Sequence, residues 1–230
     1  MARQIAIVED ERAIRENYID ALSRYGYQVR GYATRREAAE AFARKLPDLV
    51  IIDVGLGDEP EGGFDLCREL RAKSATLPLI FLTARDSDLD VISGLRLGAD
   101  DYLSKDVSLP HLQARIATLF RRLDALLAPP AQETVLRHGP LEVESERMIV
   151  RWQGQVVPLT VTEFWLVRAL ARYPGHVKNR DQLMDEAQVV VDGPTITSHI
   201  KRIRKKFLAL DPAFDQIDTV YGLGYRWKPA

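Results

Sequence analysis

Glu9, Asp10, Asp53, Thr83 and Lys105 are the side chains whose types and positions could do chemistry together. Each follows or closes a short apolar run. Ile5-Ala6-Ile7-Val8 leads into Glu9-Asp10, Leu49-Val50-Ile51-Ile52 into Asp53, and Leu79-Ile80-Phe81-Leu82 into Thr83, while Asp101-Tyr102-Leu103-Ser104 precedes Lys105. Three carboxylates gathered at one place repel one another unless a cation sits among them. A small set of hard oxygen ligands that leaves room for water and phosphate suits Mg²⁺. Beside such an ion Asp53 is the natural nucleophile for phosphoryl transfer, forming an acyl phosphate. Lys105 is suited to pair with one phosphoryl oxygen and Thr83 to hydrogen-bond another. The added group brings about −1.5 to −2 charge, enough to draw Thr83 and Lys105 inward and repack what lies behind them. Taken singly, Glu9-Asp10 reads equally well as a helix N-cap, and Lys105 as a solvated loop lysine. The chemistry is in the set.

To converge, these residues need parallel neighbouring strands that end on one rim. Continuous apolar runs are what strands buried on both faces look like, and open α/β sheets bind ligands at the carboxyl ends of such strands. Up to residue 127 apolar runs alternate with amphipathic helical patterns. The spacing predicts strands near 4–9, 27–31, 48–53, 78–83 and 100–104, and helices near 12–24, 35–45, 63–73, 87–97 and 108–127. Right-handed crossovers give an α/β fold with a five-stranded doubly wound parallel sheet. Ala128-Pro129-Pro130-Ala131-Gln132 breaks the pattern, so residues 128–134 read as a stiff linker between a domain at 1–127 and a second at 135–230.

The second domain has a different grammar. Short strand-like pieces at 135–137, 140–144, 147–151 and 155–158, separated by turn residues, read as an antiparallel meander. Thr160 with Glu163 makes a capping box and Leu159 with Phe164 a staple, opening a helix to about Arg172. A second helix is predicted from Arg180 to Ala187, and a third opens at Asp192-Gly193-Pro194. Two strands around Tyr221-Gly222-Leu223 close the chain as a hairpin. On the third helix Ile196, Ile200, Ile203 and Phe207 share one face. Ser198, Lys201, Arg202 and Lys205 are read as lying opposite, with His199, Arg204 and Lys206 on the flanks. Five bases and no acid between Pro194 and Phe207 suit a helix that meets phosphates and reads one or two bases.

The 230 residues are 46% hydrophobic with a net charge of −1, which gives no gross bias toward a polyanion. The residues to Ala128 carry 18 basic and 21 acidic side chains, the remainder 14 and 12. The single Cys67 excludes an internal disulfide, fits a reducing cytosol and reads as a core thiol beside Leu66 and Leu70. The start runs straight into a strand with no signal-peptide pattern, and no apolar run approaches the roughly 18 residues of a membrane span. A cytoplasmic protein without membrane contact is expected.

Glu9-Asp10, Asp53, Thr83-Ala84, Gly98-Ala99-Asp100-Asp101-Tyr102 and Lys105 together resemble the receiver domain of two-component response regulators, a flavodoxin-like fold. That resemblance implies that Asp53 is the phosphoacceptor of a partner histidine kinase. It also implies that Glu9, Asp10, Asp53 and the Gly55 carbonyl hold Mg²⁺, and that Thr83 and Tyr102 form a switch pair. Residues 135–228, through Thr160…Glu163-Phe164, Ile196…His199-Ile200…Arg204 and Thr219-Val220…Gly222…Gly224-Tyr225, resemble the winged helix-turn-helix effector of the OmpR/PhoB branch. That implies promoter DNA as partner. His199, Lys201, Arg202 and Arg204 become contact candidates on the third helix, with Thr219 and Tyr221 on the wing. In the same branch Asp101 and Arg115 match residues that pair across a two-fold homodimer built from the helix near 87–97, the strand near 100–104 and the helix near 108–127. Asp100 lies beside them, and Ile92 and Leu95 are expected at the interface centre.

The chain departs from the family in places. Asp106 follows Lys105 where the family has proline, so a trans peptide and a reshaped loop are expected. Gly57-Asp58-Glu59-Pro60-Glu61-Gly62-Gly63 is longer and more acidic than usual. His111 and Val91 replace charged residues of the dimer face, and Pro194 and Tyr221 stand where arginine is common.

An enzyme on the same sheet is disfavoured. Val8-Glu9-Asp10-Glu11-Arg12 is no glycine-rich phosphate cradle, and Gly55 stands where a phosphatase of this type has a second aspartate. The expectation is a phosphorylation-dependent transcriptional regulator. The alternative is a DNA-binding protein whose receiver dimerises constitutively, without phosphorylation.

Overall fold

The computed structural model describes residues 2–127, 135–145, 147–187 and 193–229. The expected linker at 128–134 and the cap at Asp192 lie outside them. Two compact units divide the chain at Ala114/Arg115.

In the first unit five strands form one sheet in the order β2-β1-β3-β4-β5, all parallel. They are β1 Gln4–Val8, β2 Gln28–Tyr32, β3 Leu49–Ile52, β4 Leu79–Thr83 and β5 Asp101–Ser104. Helices α1 Arg12–Arg24, α2 Arg35–Arg44, α3 Gly62–Lys73 and α4 Asp88–Leu97 alternate with them, and α5 Leu109–Leu127 crosses the division. The expected elements are all present to within a residue or two at their ends. β3 is buried throughout, which is why its sequence does not alternate. Ala6, Val8, Val50 and Ile52 pack with Ala38, Phe42, Phe64 and Leu66 on one face, while Ile5, Ile7 and Ile51, on the other, are buried as well. Thr34 caps α2 by accepting from the Glu37 N–H, and Ser87 caps α4 by accepting from Asp90.

In the second unit β6 Val135–His138, β7 Leu141–Glu144, β8 Ile149–Trp152 and β9 Gln155–Val157 make an antiparallel meander. Helices α6 Val161–Ala171, α7 Arg180–Glu186 and α8 Gly193–Leu208 follow, and β10 Ile217–Val220 pairs antiparallel with β11 Gly224–Trp227. Trp152, Phe164, Phe207, Phe214 and Trp227 fill the core, with Phe207 stacked on Phe214 at 4.4 Å. The capping box at Thr160/Glu163 is present. A second box, Asn179/Gln182, opens α7; its Asn-x-x-Gln spacing stands in the sequence.

Candidate functional site

The rim of the first sheet is set by backbone hydrogen bonds at its strand ends. Glu9 N–H donates to Tyr32 O, Asp53 N–H to Val8 O and Lys105 N–H to Thr83 O, at 2.9–3.0 Å. Glu9, Asp10 and Asp53 thereby each bring a carboxylate oxygen within 4.8 Å of the others. Glu9 and Asp53 are buried and Asp10 is exposed. Lys105 Nζ lies 2.7 Å from Asp53 Oδ2 and 2.8 Å from Glu9 Oε2. Burial pushes the Glu9 carboxyl above its ordinary pKa and the Asp53 charge adds to this, against the opposing hydrogen bond from Lys105. For Lys105 burial works downward, but the hydrogen bonds and charges of Asp53 and Glu9 outweigh it and leave the pKa raised. The donors are all oxygen, two of them withdrawn from water, so the cluster fits a hard divalent cation. Gly55 is half-buried in the loop two residues on.

Thr83 and Tyr102 meet through a residue that sequence reasoning passed over. Arg85 N–H donates to Thr83 Oγ1 at 3.3 Å, and Tyr102 OH donates to Arg85 O at 2.7 Å. The Arg85 guanidinium reaches Pro60 O at 3.2 Å and pairs with Asp90. Burial raises the Tyr102 hydroxyl pKa, with the Asp90 charge adding to it, so the ring is a neutral donor at physiological pH. The acidic 57–63 loop is tied down rather than merely tolerated. Leu56 and Glu59 exchange backbone hydrogen bonds, and Arg35 bridges Glu59 at 2.6 Å and Glu69 at 2.7 Å. The described peptide bonds include no cis bond, so Lys105–Asp106 is trans. Asp106 bonds to Ser104 rather than taking Lys105 away: its N–H donates to Ser104 Oγ at 3.2 Å.

Gly63 was also missed. A Cβ at this position would come 2.0 Å from Asp53 O, so α3 begins in direct contact with the backbone of the proposed phosphoacceptor. Only glycine permits that approach. Gly63→Ala is therefore expected to displace Asp53 from Lys105 and lower its phosphorylation rate by about 10²-fold, as misplacement by about 1 Å does. Stopped-flow phosphorylation with acetyl phosphate, which releases acetate, would measure it, and an unchanged rate would show that α3 does not set the pocket.

On the second unit α8 turns Ile196, Ile200, Ile203 and Phe207 inward as expected. Two of the contact candidates are corrected. His199 is 0% exposed and Arg202 8%. Arg202 Nε donates to Glu163 Oε1 at 2.6 Å and its Nη2 lies 2.8 Å from His199 Nδ1. The reason is Glu163, fully buried in the first turn of α6, which takes Arg202 and Lys206, four residues apart on α8, as its counter-ions. Lys201 and Lys205 are the exposed cations of that helix, and Lys205 was not among the candidates. Arg204 is half-buried; it donates to Ile217 O at 2.9–3.1 Å and to Thr219 Oγ1 at 2.7 Å, bracing the hairpin. Tyr221 is 94% exposed and Leu223 62% at the turn. Gly224, at φ +142°, lets β11 approach Lys178, whose carbonyl a Cβ would meet at 2.0 Å. The side chain of Pro194 lies outside the described residues.

Residues 5–117 match the response regulator receiver domain family and residues 154–227 the C-terminal domain of transcriptional regulatory proteins. The transcriptional regulatory protein CreB of Escherichia coli K12 is 37% identical over 226 residues, covering 96% of each chain. The phosphate regulon transcriptional regulatory protein PhoB of Rhizobium meliloti is 37% identical over 230 residues, covering 98% of each. The crystal structure of DrrB, a Thermotoga maritima OmpR/PhoB homologue, superposes with a TM-score of 0.51 at 27% identity, over 99% of this chain and 100% of that one. The chain belongs to the OmpR/PhoB family of response regulators.

This OmpR/PhoB regulator is thus a two-component protein with a receiver fold and a C-terminal DNA-binding domain, and none of its described helices is long and apolar enough to cross a membrane. Its expected dimer residues divide. Asp100 is corrected: it is buried and bound within the unit, accepting from Arg71 Nη2 at 2.8 Å and from Leu79 N–H at 3.1 Å. Arg71 also donates to Gly98 O, fastening α3 to the α4–β5 turn. Leu95 is corrected too, since it packs in the core and not at a surface. Asp101 and Arg115 are 5% and 9% exposed, so neither presents an open surface in this chain, and Ile92 is half-buried.

Proposed function

We propose that Asp53 is phosphorylated by a partner histidine kinase and that this controls promoter binding by a receiver homodimer. The carrying observation is the meeting of Glu9, Asp10 and Asp53 within 4.8 Å, with Lys105 on two of them. An Asp53 carboxylate oxygen attacks phosphorus of the phosphohistidine. The O–P bond forms as the P–N bond breaks, and the imidazole keeps the electron pair. Glu9, Asp10, Asp53 and the Gly55 carbonyl would hold Mg²⁺, which supplies charge neutralisation at the phosphoryl oxygens. Lys105 exchanges its carboxylate partners for a phosphoryl oxygen. Thr83 turns its hydroxyl to another, which breaks its bond to Arg85 N–H and loosens the Tyr102–Arg85 tether.

The receiver is assigned to 1–127, the linker to 128–134 and the effector to 135–230, in a cytoplasmic protein. The dimer runs through α4, β5 and α5, with Asp101, Arg115 and Ile92 as its residues; Asp101 and Arg115 must first be uncovered. On DNA, Lys201 and Arg204 of α8, with Thr219 and Tyr221 of the hairpin, make the contacts, and Lys205 joins them as an exposed cation. The protein works as a switch and turns over no substrate.

Acetyl phosphate treatment should retard the wild-type chain on a Phos-tag gel and leave Asp53→Ala unshifted. Equal mobility of both would end the phosphorylation reading and leave the constitutive dimer. A separate expectation concerns the wing. Tyr221→Arg should steepen the dependence of log K on log salt by about one, because one more phosphate is neutralised. An unchanged slope in a salt series would place Tyr221 off the DNA.

A further inference from the structure

The far end of the receiver sheet holds a cavity of about 190 Å³ between β1, β2 and the last turn of α2. The parallel register sets Gln4 beside Gln28, Ala6 beside Arg30 and Val8 beside Tyr32. Gln28, Arg30 and Tyr32, two residues apart, share the sheet face that α2 covers. The strands therefore present Asp53 at their carboxyl ends and this cavity toward their amino ends. Its floor is apolar: Ala6 and Phe42 are buried, and Tyr32 meets Phe42 edge-on at 5.3 Å. Its rim is cationic, with Arg30 from the edge strand and Arg44 and Lys45 from the end of α2. No carboxylate lines it. Asp48, close in sequence, is engaged by the Gln4 N–H at 2.7 Å and by Arg3 at 3.7 Å. Among the described residues the side chains of Arg30, Arg44 and Lys45 have no hydrogen bond or ion pair.

Arg44 and Lys45 sit where cations complement the end of a helix dipole. That accounts for two of the three charges but not for Arg30, which comes from a strand and converges on the same opening. Two guanidinium forks and an ammonium around an apolar floor match a phosphate monoester, with the dianion at the rim and a small hydrophobic body beneath. The volume lies below the roughly 300–1,000 Å³ of sites for drug-sized ligands, so the body must be compact. We infer that this cavity binds a phosphate monoester with a compact apolar or aromatic body, at the end of the sheet opposite Asp53. The inference stands independently of the phosphorylation of Asp53.

Phenyl phosphate is a suitable probe, titrated into the full-length chain with EDTA present to keep the acidic pocket out of play. Amide shifts followed by NMR should saturate at Gln28–Tyr32 and Ala41–Lys45. Inorganic phosphate and benzoate should each bind about tenfold more weakly, because phosphate has no body for the floor and benzoate brings the rim a single carboxylate charge in place of a phosphate dianion. Arg30→Ala should abolish saturation while its melting curve matches wild type. Arg44→Gln is the second variant should Arg30→Ala melt early, and it should weaken binding about tenfold. Shifts that stay linear to about 10 mM, or that persist unchanged in the variants, would overturn the site. So would equal binding of all three probes, which would mark a generic basic surface.

Discussion

Glu163→Gln is expected to cost the effector unit about 3–5 kcal/mol, the usual penalty for removing one member of a buried ion pair. Glu163 has no exposed surface, and its two oxygens take Arg202 at 2.6 Å, Lys206 at 2.5 Å and the Thr160 N–H at 2.8 Å. Burial alone would raise its pKa, but Arg202 and Lys206 overcome that and hold it at about 2. Glutamine keeps the shape and offers one oxygen, yet it turns an N–H₂ toward a donor and leaves the Arg202 charge buried without a counter-ion. With a urea m-value of about 2 kcal/mol per M, the midpoint should fall by about 2 M. The pH signature has a definite sign. The folded-state pKa is depressed below the ordinary 4.5. The stabilisation is therefore complete above that pH and drains away as pH falls from 4.5 toward 2. Urea titrations across this window should slope for wild type and lie flatter for Glu163→Gln. Parallel curves would mean that the carboxylate is not what holds α6 to α8.

The same network explains what was and was not legible in the sequence. The position of Asp53 at a strand end was legible because a strand buried on both faces announces itself as an unbroken apolar run. The apolar stripe of α8 was legible for a similar reason, since Ile196, Ile200, Ile203 and Phe207 obey helical spacing. Periodicity sorts residues by polarity, however, and not by burial. Its charge alone points Arg202 outward, yet a carboxylate 39 positions earlier draws it inside and His199 with it. Asp100 escaped in the same way: its partner Arg71 is 29 positions away. Leu95 and Ile92 lie three apart on α4 and look equivalent on a helix, but the core takes only Leu95 fully. Arg85 lies in an irregular loop where no period applies. Gly63 did carry a signal, a glycine pair just after the acidic stretch, whose meaning depends on how closely α3 approaches Asp53.

Lys105→Ala should separate binding from chemistry in the acidic pocket. The ammonium now lies 2.7–2.8 Å from Asp53 and Glu9, where it competes with any metal for the same oxygens. Its loss leaves buried carboxylates with no cation, so the receiver should melt earlier in EDTA. It should also gain more from added MgCl₂ than wild type does, because ligand binding to the folded state alone raises stability with concentration. Phosphoryl transfer should move the other way. Removing one positioned donor from a developing oxyanion costs about 10²–10³ in rate, so phosphorylation by acetyl phosphate at saturating MgCl₂ should slow by that factor. The two readouts share one variant and point in opposite directions, which a merely misfolded pocket cannot reproduce. A rate within about threefold of wild type, corresponding to less than about 1 kcal/mol of barrier, would remove Lys105 from the chemistry and leave it a structural counter-ion.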